Sequence, residues 1–451
     1  MSVIHSTDVL LPRNFKVLSR TRSSDLQPAG IVLLAVLMAA PWAFGAVDAW
    51  AWTCLGLGAA LTIFLWAAGC VRRHILRFTW SPLYAPLVIF FILGVCEYLV
   101  GHTLDKSETR QALVLLATDL AFFFTATQVF SDGAGESRRW LGLTVLLFAG
   151  TLGLFAIVQF AAGAPGIFWT FDTSGSFFGP YVNPDHFAGL MEMLVPVGIC
   201  YIGGQRKKYS GAALLMLMVA AAVAVASLLL TGSRGGLLAL CVEITVAGVM
   251  FRRRARSVNR WGLAGSLAGA AFAVLLLFSW IDPGWVAERL GAVFDLDGQK
   301  WVETTEFRRR VSMDSLCMLR DHPAFGVGLG NFELSYPPYQ SFPSDLTIDY
   351  AHNDYAQAAA ETGLVGAALI LSALVLFLRL AFSGLRHRLE AGHGWIQLGA
   401  ALGCCGLLVH SLVDFNLHIP ANAVWFAVLA GIAACQGDIS HLPHERYQQA
   451  M

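Results

Sequence analysis

Apolar residues run along this chain in long blocks rather than in the short periods of a water-soluble fold. A helix needs about 20 mostly apolar residues to cross a bilayer. Blocks of that kind fall at 29–48, 50–71, 82–101, 109–130, 139–163, 184–204, 210–231, 235–251, 261–281, 360–380, 394–414 and 419–436. The pattern predicts an all-α polytopic membrane protein with about twelve transmembrane helices. The first two are separated only by Asp48, and the last two by the short segment from Asp414 to Pro420. One long polar stretch divides the chain into a bundle of nine spans (1–281), a large loop (282–359) and a bundle of three spans (360–451). Within the loop, Trp301, Phe307, Val311, Leu316 and Leu319 form an approximately helical apolar stripe. It predicts an amphipathic helix lying on the outer membrane interface. Asp321-His322-Pro323 would stop that helix, and the glycines at 326, 328 and 330 predict turns after it.

Composition sharpens this reading. Only 13% of residues are charged against 56% hydrophobic, where soluble domains carry roughly 25% charge, and the mean hydropathy is +0.62. The formal net charge is zero, so no global basic field argues for nucleic acid as a partner. Eight of the nine cysteines fall in apolar blocks, leaving Cys317 alone in the loop without an internal disulfide partner.

Lys and Arg in short loops collect on the cytoplasmic side of membrane proteins. Arg72, Arg73, Arg77, Arg138, Arg139, Arg206, Lys207, Lys208, the run from Arg252 to Arg260, Arg379, Arg386 and Arg388 share one side with the basic residues near both termini. Only Lys106, Arg110 and Arg234 occupy short loops of the other side. Both termini are therefore expected in the cytoplasm, with the long loop facing outward.

The outward face carries the candidate chemistry. Arg234 sits in Thr231-Gly232-Ser233-Arg234-Gly235-Gly236 between two apolar blocks. It is either a snorkelling anchor or an anion site, a guanidinium fork beside the amide-rich start of a helix that would suit a diphosphate. His352, in Ala351-His352-Asn353-Asp354-Tyr355, can serve as a general base near neutral pH or as an interface residue. Arg308, Arg309 and Arg310 are adjacent on the loop helix and cannot share one face, so a second phosphate-binding arginine is expected among them. Asn183, Asp185 and His186 precede the sixth span as caps or substrate contacts. His410, Asp414, Asn416 and His418 crowd the last outer turn, where they either line a polar cavity or satisfy one another. Glu97, Asp119, Glu192 and Glu243 fall within spans and receive no role. No HExxH motif or paired Asp motif is present, so the site is expected to work without metal or cofactor.

Three short matches make the chain resemble the O-antigen ligase and polymerase superfamily of bacterial membrane glycosyltransferases. They are Ser233-Arg234-Gly235-Gly236, the run from Gly326 to Phe332 (GVGLGNF), and His352-Asn353-Asp354-Tyr355 running into Glu361-Thr362-Gly363-Leu364-Val365-Gly366. Their order and common side follow the family pattern across most of the chain. The resemblance implies an undecaprenyl-diphosphate-linked glycan as donor, and lipid A–core or a growing glycan as acceptor. It also implies membrane lipid as surroundings and a periplasmic site on the bacterial inner membrane. It casts Arg234, with one of Arg308 to Arg310, as holding the diphosphate, and His352 as activating the acceptor hydroxyl for inverting displacement. Asn183, His186, Asn353 and Asp354 would bind substrate. Within the superfamily, a ligase and a polymerase of repeat units both fit. A flippase for lipid-linked sugars is the alternative of another class, disfavoured because the inner loops are merely basic.

Overall fold

The computed structural model describes residues 27–74, 78–131, 136–173, 175–251, 291, 299–344, 347–390, 392 and 394–435. Among the described residues, eight helices precede the long loop: α1 (Pro28–Trp42), α2 (Ala49–Arg73), α3 (Tyr84–Val100), α4 (Lys106–Val129), α5 (Glu136–Ala161), α6 (Pro184–Gln205), α7 (Gly211–Leu230) and α8 (Arg234–Phe251). The loop contains α9 (Gln299–Asp321), and α10 (Asp354–Phe382), α11 (Trp395–His410) and α12 (Pro420–Ala434) follow it. Among the described residues, six helices are long and apolar enough to cross a membrane, namely α2, α4, α5, α6, α7 and α10. α1, α3, α11 and α12 are shorter apolar helices. The expected span 235–251 is the helix α8. The expected span 261–281 and most of the basic run from Arg252 to Arg260 lie outside the described residues. The chain is a multi-pass all-α membrane protein.

Burial sorts the helices into layers. The most apolar window of α6 is 78% buried, against 17% in α2 and in α10, so α6 is a central post and the other two form the lipid-facing wall. α11 lies along α6 and α8, α12 along α4, and α5 against α6 and α7. Small residues permit these close crossings. Gly399 and Gly403, four positions apart on α11, lie so near the α6 backbone that a Cβ would meet Val197 Cα at 2.6 Å and Met193 Cα at 2.8 Å. Gly235 on α8 lies directly against the His410 ring of α11.

Helices α4, α6, α8 and α10, which begin at the same end of the bundle, start with polar caps, which satisfy otherwise unpaired N–H groups. The Asp105 carboxylate accepts from Ser107 N, Asn183 from Asp185 N, Ser233 Oγ from Gly236 N, and Asn353 from Tyr355 N and Ala356 N. At the opposite end, Arg138, Arg139, Gln205 and Trp395 line one small cavity, so the basic starts and ends of α5, α6 and α11 gather there.

The loop helix α9 differs from its expectation. Its buried face is Val311, Asp314, Ser315 and Met318, packed with Phe332 and Tyr336 of the loop, while Leu316 of the predicted stripe points outward. The reason is Asp314, a polar residue on the inner face that accepts from Tyr336 Oη at 2.8 Å and from Ser341 N at 3.1 Å. The helix therefore rests on protein through a mixed face. The side chain of Trp301 lies outside the described residues.

The glycine-rich run after α9 is the clasp between loop and bundle. Gly326, Gly328 and Gly330 all have positive φ, which costs glycine alone nothing. α10 is kinked at Gly363 (φ +64°), and the two glycine segments meet backbone to backbone. Val327 N donates to Ala360 O, Gly328 N to Glu361 O, and Leu364 N to Pro323 O. Asn331, fully buried, closes the other side. Its Oδ1 accepts from Asp105 N at 2.7 Å, and its Nδ2 donates to Thr103 Oγ1 at 2.7 Å, Thr109 Oγ1 at 2.8 Å and Leu329 O at 3.1 Å.

Candidate functional site

Five chain segments converge at one end of the bundle, beside the ends of α6, α8, α9, α10 and α11, and Asp414 is their hub. Its side chain has no exposed surface. The Arg308 guanidinium approaches Asp414 Oδ2 at 3.6 Å, and His352 Nδ1 and His186 Nε2 approach Oδ1 at 3.7 and 3.8 Å. His410 Nε2 stands 4.0 Å from Oδ2. These are ion-pair distances rather than hydrogen-bond lengths, and His352 Nδ1, His410 Nε2 and Asp414 Oδ2 are buried without a hydrogen-bond partner. Burial pushes the Asp414 carboxyl up, but the adjacent His186, His352 and Arg308 outweigh it and hold Asp414 well below the usual carboxylate range.

Arg308 is the member of the arginine triplet that reaches this centre. Its Nη2 bonds Asp185 Oδ2 at 2.7 Å and its Nη1 bonds Val413 O at 2.9 Å, with 24% of the side chain exposed. Burial favours the neutral form, but the carboxylates of Asp414 and Asp185 more than compensate and keep Arg308 firmly charged. Arg309 and Arg310 instead pair with Glu306 on the exposed face, at 2.8 Å each. Their guanidinium hydrogen bonds hold the Glu306 carboxyl down at about 2. Helix phase explains the split. Ser312, one turn after Arg308, bonds Ala351 O at 3.3 Å, so this edge of α9 faces the segment that carries His352.

His352 has φ of +49°, a left-handed conformation rare for residues with a Cβ. Its neighbours hold it there. Asn353 caps α10, Asp354 N donates to Ser411 O, and Tyr355 Oη donates to Leu408 O. The Asp354 carboxylate binds His418 Nδ1 at 2.7 Å and accepts from Leu417 N at 3.1 Å. Asn353 and Asp354 thus tie α10 to the α11–α12 turn, and Asn183 caps α6 while its Nδ2 lies 3.4 Å from His186. The His352 ring is edged by Phe307 and Phe415, and 22% of its side chain is open. With Nδ1 turned toward Asp414, Nε2 is the nitrogen left to meet a ligand.

Arg234 begins α8 one residue before Gly235, the residue pressed against His410. The Ser233-Arg234-Gly235-Gly236 turn is therefore a wall of the same centre. Asp185, His410 and Asp414 bring possible ligand atoms within 4.8 Å of one another, but the Arg308 guanidinium bridges the two carboxylates and supplies the positive charge there.

A second space adjoins this centre. Tyr350 stacks on Phe415 at 4.3 Å and 12°. This aromatic wall separates the histidine cluster from a cleft of about 240 Å³ between α2, α4, α10, α12 and the outer loop. Leu115, Leu116 and Val424 line the cleft with Glu333, Asp349 and Tyr350. Asp119, one of the unassigned acidic residues within spans, also faces it. Glu97 accepts from Leu329 N at 3.3 Å, and Glu192 meets His410.

The importance of Asp414 lies in its neighbours Asp185 and Arg308, which are too remote in the sequence for the crowded turn alone to reveal it. No curated protein matches the chain. The match that exists covers residues 219–371, which hold Arg234, α9 and His352. This segment matches the family model for O-antigen ligase, and over these residues the chain is similar to that family.

Proposed function

We propose that this protein transfers a glycan from an undecaprenyl-diphosphate carrier to an acceptor hydroxyl at the periplasmic face of the bacterial inner membrane. The observation that carries the reading is the pairing of a charged, half-open arginine with a histidine around one buried carboxylate. Arg308, together with Arg234, holds the diphosphate and takes up the negative charge that develops as it leaves. His352 accepts the acceptor's hydroxyl proton on Nε2 while Asp414 steadies Nδ1. The acceptor oxygen bonds to the anomeric carbon, and the bond from that carbon to the diphosphate oxygen breaks. The electron pair departs with the carrier, and the anomeric configuration inverts. The 3.7 Å gap between His352 and Asp414 is the loose geometry of a substrate-free site, tightened on binding. No metal is required, because Arg308 already bridges Asp185 and Asp414.

One observation favours the polymerase reading over ligation to lipid A–core. The cleft beside the site is lined by Glu108, Asp119, Glu333, Asp349 and Glu361, with no lysine or arginine among the described residues. Carboxylates accept hydrogen bonds from sugar hydroxyls and repel phosphorylated acceptors, so the cleft suits a neutral glycan.

The test combines substitution with deletion. Arg234→Ala and His352→Ala should each abolish glycan transfer at unchanged membrane levels, and full activity in either removes that residue from the mechanism. In a deletion strain, single repeats accumulating on the carrier indicate lost polymerisation, whereas long chains accumulating there indicate lost ligation. Carrier trapped on the inner side would point to flipping and overturn the proposal.

A further inference from the structure

Beneath the site lies a buried acid–base pair to which the reaction above gives no role. Glu192 on α6 and His410 on α11 have fully buried side chains, and both oxygens of Glu192 lie within hydrogen-bond reach of His410 Nδ1, at 3.2 and 3.1 Å. The opposite nitrogen, Nε2, bonds nothing and stands 4.0 Å from Asp414 Oδ2, which also lacks a hydrogen-bond partner. The ring has no freedom to turn away, because Gly235 of α8 presses on its edge. An imidazole clamped between two buried carboxylates is stable as the cation, which is how buried charges persist.

We propose that Glu192 is a positioning residue: it keeps His410 protonated, and the His410 cation keeps Asp414 ionised and aimed at Arg308 and His352. This inference rests on the glycosyl-transfer reading only for its kinetic arm. Asp414 is faced by His186 and Asp185 from α6, Arg308 from α9, His352 from the segment just before α10 and His410 from the end of α11. His410 is faced by Glu192 and, farther off, by Asp185 and by Glu243 of α8, which packs on Gly406. Replacing Glu192 by Gln removes a negative charge on the far side of the imidazole and, through it, the positive charge 4.0 Å from Asp414. The nearer loss dominates because interaction energy falls with distance. Asp414, still held by Arg308, His352 and His186, then binds a proton at a higher pH than in the parent, and the range over which it steadies His352 narrows from the acid side.

The experiment uses the full-length purified protein, with Glu192→Gln, His410→Gln and the double variant. Infrared titration follows the protonated carboxyl band of Asp414, assigned by its disappearance in Asp414→Asn. Glycan transfer from a purified lipid diphosphate donor is measured across pH in parallel. In both single variants the Asp414 carboxyl band should appear at a pH where the parent shows none. The acid limb of the turnover profile should move up by about one pH unit, with donor KM unchanged. The double variant should behave as either single one, since both act through one ring. If the band and the acid limb stay at the parental pH in folded single variants, or if the two substitutions add, the proposal is overturned. Should the parent transfer no glycan at any pH, the functional reading fails while the infrared arm still decides the role of Glu192. Should Glu192→Gln not fold, His410→Gln carries the same two readouts.

Discussion

Three consecutive arginines on α9 offer a test in which sequence position is nearly constant and structural context is not. Arg308→Ala removes the cation bridging Asp185 and Asp414, leaving one carboxylate fully buried and the other largely so. Breaking a buried ion pair from one side costs about 3–5 kcal/mol. The lower end applies, because the Arg308 and Asp185 side chains remain about a quarter and a fifth exposed, at 24% and 22%. Losing a preorganised charge donor at the reacting group typically lowers turnover by about 10²–10³-fold. Arg308→Ala should therefore lose about that factor in transfer and several degrees in thermal unfolding. Arg309→Ala and Arg310→Ala, whose partner Glu306 lies on the exposed face, should stay within roughly threefold of the parent and unfold at its temperature, as surface pairs contribute little. Arg308→Lys separates the two effects. An ammonium restores charge to the carboxylates but cannot span Val413 O and Asp185 together as the fork does, so stability should return further than activity. Transfer from a purified donor in detergent micelles, with unfolding followed on the same samples, gives both numbers. If Arg309→Ala or Arg310→Ala matches the loss in Arg308→Ala, or if Arg308→Ala transfers at the parental rate, the bridging guanidinium is not part of the site.

Two further outcomes follow from contacts away from the arginines. Asn331→Ala deletes four hydrogen bonds in a fully buried position. At about 1 kcal/mol for each bond lost, the clasp between the loop and the α3–α4 turn should loosen, and limited proteolysis should cut near residues 326–340 in the variant while leaving the parent intact there. The His418 ion pair with Asp354 sets a pH dependence. Burial lowers the affinity of His418 for a proton, but the hydrogen bond and charge of Asp354 raise it above the ordinary value of 6.5. The pair therefore stabilises fully below pH 6.5, and its contribution fades as pH climbs through the raised value. Thermal stability should fall on the alkaline side of 6.5, and His418→Gln should flatten that slope. An unchanged slope in His418→Gln would assign the dependence to another group.

Hydropathy made most of the helices legible because a bilayer forbids charge over a fixed length, so α2, α4, α5, α6 and α7 stand close to their expected positions. Polar residues at the outer ends of apolar blocks marked Arg234 and His352 for the same reason. The phase of α9 was not legible, since Asp314 occupies a position on its inner face where an apolar residue was sought. The hub was not legible either. The crowd of His410, Asp414, Asn416 and His418 stands out in the sequence, but not that α6, α9 and the start of α10 bring His186, Arg308 and His352 to Asp414. Asn353 and Asp354 had the opposite fate: as neighbours of His352 they looked like ligand contacts, and their side chains are spent on holding the backbone that presents it.

The glycine and asparagine clasp has a consequence for biogenesis. Asn331 joins a turn completed 226 positions earlier in the chain, and the hub arrives later still, between the last two helices. As the chain threads into the membrane from its first span, Arg234 and the early carboxylates emerge with neither Asp414 nor the closing clasp in place. An incompletely inserted protein therefore holds Arg234 and Asp185 without the buried carboxylate on which the proposed transfer depends. The proposed reaction would become possible only once the α11–α12 turn docks on α6, α9 and α10 and brings Asp414 to Arg308 and His352.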